Sequence, residues 1–207
     1  MEASVQLLRQ AGHARLRAVL TMLVVLAAAI GVNLAASSPA SAATTTICKS
    51  SGVPAGYVII AEGSSSSCPY AYPNTWTITT PSTTGNTTVC KVSSIPSGYV
   101  MISEGSSTQC PYSWPNTMTI RIPSTSSTTV ICKSSPLPTG FVITAEGSST
   151  QCPYSWPNTY SIRIPAASGT TVVCSISPVP AGYVVVGTGS STQCPYAWPN
   201  TKSIRRA

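Results

Sequence analysis

Aspartate is absent from the 207-residue chain, and histidine occurs once, at His13. Charged residues of every kind make up 7%, about a quarter of the usual share. These absences remove most hydrolytic chemistry, because a general base is usually His, Asp or Glu. A Ser–His–Asp triad has neither its histidine nor its aspartate beyond residue 13. From residue 43 onward the side-chain carboxylates are Glu62, Glu104 and Glu146, set far apart in the chain, and paired-carboxylate catalysis would need two of them to face each other. Lys49, Lys91 and Lys133 leave a Ser–Lys dyad as a residual arrangement that nothing in the spacing favours. No Cys-x-x-Cys is present for dithiol redox work, nor a close Cys pair or Cys–His set for zinc. The sequence predicts a protein that is not an enzyme and that uses no metal or cofactor.

Long apolar runs are equally scarce. One stands out, Ala18–Ala36, preceded by Arg9, His13, Arg15 and Arg17 and followed by Ala40-Ser41-Ala42. A basic start, an apolar middle and a small-x-small end predict a secretory signal peptide over residues 1–42. The competing reading is an uncleaved anchor, since about 18 apolar residues span a bilayer, but the Ser/Pro break and the cleavage pattern favour removal. The protein is then secreted or associated with a cell surface, and it meets a membrane only through this segment before cleavage. From Ala43 on there are eight basic and three acidic side chains, a formal charge of +5. That excess suits anionic wall polymers or phospholipid surfaces and is too sparse for nucleic acid.

What the chain has in quantity is repetition. Its cysteines are Cys48, Cys68, Cys90, Cys110, Cys132, Cys152, Cys174 and Cys194, spaced alternately by 20 and 22 residues, so the period is 42. An even number at regular spacing predicts disulfides and an oxidising compartment. Pairing within repeats, Cys48–Cys68, Cys90–Cys110, Cys132–Cys152 and Cys174–Cys194, closes every unit, whereas pairing across repeats strands the two end cysteines. Each closed loop is worth about 3 kcal/mol through the unfolded state. The units run 44–86, 87–127, 128–169 and 170–207.

Within a unit, a β-branched run such as Thr128-Thr129-Val130-Ile131 leads into the first cysteine. A Pro-x-Gly-aromatic turn follows, as in Pro54-Ala55-Gly56-Tyr57, with proline expected at the second turn position and glycine at the fourth. A second strand, such as Tyr99–Ser103, is almost continuously apolar, so both of its faces are expected to be covered. A third, such as Met118-Thr119-Ile120-Arg121-Ile122, alternates. The expected fold class is all-β: four tandem stapled units, each a three-stranded antiparallel meander. Ser/Thr-rich spacers favour independent beads on short linkers, and the alternative is units stacked into one closed or solenoidal β structure, such as a small four-bladed propeller.

The most regular stretch is Cys-Pro-Tyr-x-aromatic-Pro-Asn-Thr, and Glu104–Thr117 is identical to Glu146–Thr159. It places Tyr70, Tyr112, Tyr154 and Tyr196, then Tyr72, Trp114, Trp156 and Trp198, between prolines. Rings with an apolar face and a polar tip suit contact surfaces, and flanking prolines lower the cost of holding them. These eight residues are the candidate binding set, for extracellular polysaccharide or a cell-wall polymer. The plain alternative is that the rings form the core of very small units, in a structural surface or matrix protein. A multi-headed protease inhibitor, presenting the loops before Pro54, Pro96, Pro138 and Pro180, is a third reading. The polar strand face, Thr77/Thr79, Thr119/Arg121, Ser161/Arg163 and Ser203/Arg205, reads as a solvated face, since arginine breaks the ladder an ordered crystal surface would need. The tandem layout resembles that of secreted wall-binding repeats such as LysM arrays, but no LysM motif stands in the chain and no family is inferred.

Overall fold

Runs of Thr, Val and Ile broken by Pro and Gly fold as short strands. The computed structural model describes residues 43–207, and the expected signal peptide lies outside them. No helix among the described residues is long and apolar enough to cross a membrane. The first unit holds β1 (Thr45–Cys48), β2 (Val58–Gly63) and β3 (Thr75–Thr79). The second holds β4 (Thr87–Cys90), β5 (Val100–Gly105) and β6 (Thr117–Arg121). The third holds β7 (Thr129–Cys132), β8 (Val142–Gly147) and β9 (Thr159–Arg163), and the fourth β10 (Thr170–Cys174), β11 (Tyr183–Gly189) and β12 (Thr201–Arg206). Four three-stranded antiparallel sheets result, one disulfide to each unit, with the pairing within units that the period predicts.

The strand order departs from a meander. In every sheet the third strand lies between the first two, as in β1-β3-β2. Because β1 and β2 both run antiparallel to β3, they are parallel to each other, and parallel strands cannot be joined by a tight hairpin. Residues 49–57 carry the chain across the gap that β3 later fills. Cys48 and Gly63 then both register with Thr75. The turn in this crossing also differs from the expectation: Tyr57 N–H donates to the Pro54 carbonyl (3.2 Å), with Gly56 at φ +84°. Proline is the first residue and glycine the third, the type II arrangement that needs a positive φ there.

The units are not beads. β2 packs against β4, β5 against β7 and β8 against β10, giving an open stack that does not close on itself. The reason is apolar area. A three-stranded sheet cannot cover both faces of a strand like Val100-Met101-Ile102, so the next unit does: Val58, Val100 and Val142 are 0% exposed. The central-strand isoleucines Ile78, Ile120, Ile162 and Ile204 are buried equally well. Each disulfide from the second unit on packs into the cluster of the preceding unit, as Cys90 and Cys110 do against Ile59 and Ile78. The Ser/Thr spacers are structured too, with Ser82, Ser124 and Ala166 N–H donating to Thr87, Thr129 and Thr171 Oγ1.

Candidate functional site

The aromatic motif forms the loop from β2 to β3, and its equivalents in the other units. Two devices hold it. One is the disulfide, which ties Cys68 to the end of β1. The other is Asn74, which sequence reasoning passed over. Its Oδ1 accepts from Ser65 N–H (2.9 Å), and its Nδ2 donates to the carbonyls of Ser65 (3.0 Å), Cys68 (3.0 Å) and Tyr70 (3.3 Å). Its main chain joins Gly63 and Lys49. Asn116, Asn158 and Asn200 repeat this pattern, and all four are at most 3% exposed. A short carboxamide is the side chain that can both accept from and donate to one loop backbone. The signal was present in the chain: the Asn recurs in every copy of the motif.

A close approach fixes the loop's first residue. A Cβ on Gly63, Gly105 or Gly147 would stand 2.9 Å from the hydroxyl of Thr75, Thr117 or Thr159, so any side chain there would force the threonine to shift.

At the loop tip, Tyr70, Tyr112, Tyr154 and Tyr196 have φ between +70° and +74°. Bulky residues rarely adopt this region, and such a conformation costs on the order of 1–3 kcal/mol. Burial of the ring does not offset that cost, since these tyrosines are 76–80% exposed. Tyr72, Trp114, Trp156 and Trp198 are also on the surface, at 62–66%. None of the eight rings is core. The buried aromatics are others: Phe141, and Tyr99, whose hydroxyl is shared between the Pro81 and Ser82 carbonyls (3.1 Å each) and so clips the second unit to the first. Burial pushes the Tyr99 phenol above its ordinary value.

The structure brings together residues that the sequence reading kept apart. Lys49 pairs with Glu62, Lys91 with Glu104 and Lys133 with Glu146, across partly buried side chains. Lys49 Nζ also lies 4.1 Å from the centre of the Trp76 ring, and Lys133 Nζ 5.1 Å from that of Tyr160. The fourth unit lacks both partners at once, with Ser175 and Thr188 in their places, and this joint loss was the available clue. Each pair sits at the root of the next aromatic loop, because Glu62, Glu104 and Glu146 N–H donate to the carbonyls of Gln109, Gln151 and Gln193 (2.7 Å). Tyr160 registers the same proximity: burial raises its phenol, Lys133 lowers it, and Glu146 and Tyr196 of the next loop raise it further.

Among the described residues no group of three His, Cys, Asp or Glu side chains would hold a metal ion. The strand face with Thr77 is no flat ladder, since Thr79 is buried and Arg163 and Arg205 project into solvent. Compared with family models, with curated proteins and with solved structures, the chain shows no match.

Proposed function

We propose that the protein is a secreted, multivalent, non-enzymatic binding protein whose Tyr/Trp-Pro loops engage a cell-envelope or extracellular polysaccharide. The observation that carries this reading is the exposure of all eight rings on loops whose backbone is fixed by a disulfide and a buried asparagine. Exposed Trp and Tyr faces stack on the apolar faces of sugar rings, and a preset loop gives up little freedom when they do. Four disulfides fit an oxidising extracellular setting.

The stack replaces flexible tethers with packed junctions, so neighbouring loops are presented at a set spacing. Four weak sites acting together gain avidity of about 10²–10⁴ when the ligand's repeat lets them engage at once. A polymer meets that condition and a small sugar does not. The test is retention of the oxidised chain on insoluble peptidoglycan, chitin and cellulose, beside a variant with Tyr72, Trp114, Trp156 and Trp198 all changed to Ala. The wild type is retained on one polymer, and the variant, with unchanged circular dichroism, is not. Equal retention of the two would refute the role of the rings.

A further inference from the structure

Each internal junction joins two unlike halves. One is the outer edge of β2, β5 or β8, where the N–H groups of Ile59, Met101 and Ile143 donate to Ser93, Ser135 and Ser177 Oγ (3.0, 2.8 and 2.9 Å). The other half belongs to the following unit: that serine, the carbonyl of the residue before its second cysteine, and the disulfide itself. Among the described residues four units use each half three times, so one of each is left over, at opposite ends of the stack.

The leftover edge is β11. Val184, Val185 and Val186 are 43%, 47% and 45% exposed, while Val142 and Ile143, the counterparts of the first two one repeat earlier, are 0% and 6%. The leftover second half is at the first unit. There Ser51 is exposed, and Ile47, Cys48 and Cys68 are partly exposed, whereas their counterparts Val89, Cys90 and Cys110 are at most 8%. By the 42-residue period, Val185 corresponds to Ile143 and Ser51 to Ser93. Strand edges open to solvent are ordinarily guarded by charge or proline. β11 carries neither, and Thr188 stands where the other units have glutamate. The local difference at the first unit is a 3-10 turn over Lys49–Ser51, with Gly52 N–H donating to the Lys49 carbonyl where the later units have a serine N–H donating to the first cysteine's carbonyl.

We infer that the two ends are matched halves of the same junction, and that copies of the protein join end to end, β11 of one seating on the Cys48–Cys68 end of the next. The partner is a second copy because the two ends are, by the 42-residue period, the counterparts of surfaces that already meet three times inside the chain. Such a contact is heterologous, so it leaves a free half at each end and extends to further copies.

The experiment is sedimentation velocity on the oxidised full chain up to millimolar concentration, with two blocking variants, Val185→Arg and Ser51→Arg. Both positions are exposed, so both variants fold with wild-type circular dichroism; Val186→Lys serves as a second block of the β11 end. The wild type grows in mass with concentration through dimer and beyond. Each variant alone stays a single copy. Mixed in equal amounts, the two stop at a dimer, since one supplies the free β11 and the other the free Cys48–Cys68 end. A wild type of single-copy mass throughout overturns the inference. So does association that either variant leaves intact, or a mixture that grows past the dimer.

Discussion

Asn158 is the residue on which the loop argument bears most directly. Changing it to alanine removes one acceptor, for Ser149 N–H at 2.9 Å, and one amide that donates to the Ser149 and Cys152 carbonyls at 2.9 Å each. The bond to the Tyr154 carbonyl, at 3.4 Å, adds little. Three sound hydrogen bonds at about 1 kcal/mol net give about 3 kcal/mol, and the figure rises where a partner is left dry. The residue is 1% exposed, so water does not already share these contacts. The disulfide Cys132–Cys152 remains in the variant, and the unit stays closed. The loss is therefore local: urea unfolding shows a destabilisation of about 3 kcal/mol, and amide exchange at Ser149 and Cys152, whose N–H groups are bonded within the loop, speeds up before that of the strands. Asn158→Asp keeps the acceptor but loses the donors and buries a charge, so it is the worse of the two at neutral pH. If Asn158→Ala costs under about 0.5 kcal/mol, less than one net hydrogen bond, and exchange is unchanged, the disulfide alone shapes the loop and the reasoning fails.

Two further outcomes follow from the same geometry. Tyr154→Gly relieves a positive φ that costs a non-glycine residue about 1–2 kcal/mol and removes a ring that is 78% exposed. Its thermal midpoint holds or rises while polymer retention falls, and a fall in the midpoint would show that the ring supports the fold. Tyr99 is raised by burial, so the unfolded chain ionises first as pH climbs. The stability this tyrosine contributes is complete below its unfolded pKa and is lost as pH rises through its folded one. Tyr99→Phe flattens that alkaline decline in a urea series, and an unchanged slope above pH 10, the unshifted tyrosine value, would count against it.

The chain made its staples legible because the 42-residue period leaves one pairing that closes every unit. The strands were legible from β-branched runs, and the two-sided burial of β5 from Val100-Met101-Ile102. Strand order was not. Consecutive strands usually pair, and nothing in the local pattern of Thr75–Thr79 says that it inserts between its predecessors. Stacking was misjudged because Ser/Thr spacers have the composition of linkers, whereas Thr87 and Thr129 use their hydroxyls to fold them. Position in the sequence also could not separate Tyr154 from Tyr99. Both are tyrosines close after a proline, and only the backbone sends one outward and the other in.

Each bridge beyond the first is roofed by the unit before it. A reducing agent therefore meets the four disulfides as a queue. Cys48–Cys68 stands partly open, whereas the later first cysteines are 0% exposed and their partners 8–9%. Thiol attack needs access to sulfur, so the later bridges become reachable only as the units ahead of them loosen. Damage has a direction in this molecule, entering at the first unit and advancing toward the fourth, and a second copy seated on that first unit would close its entry point.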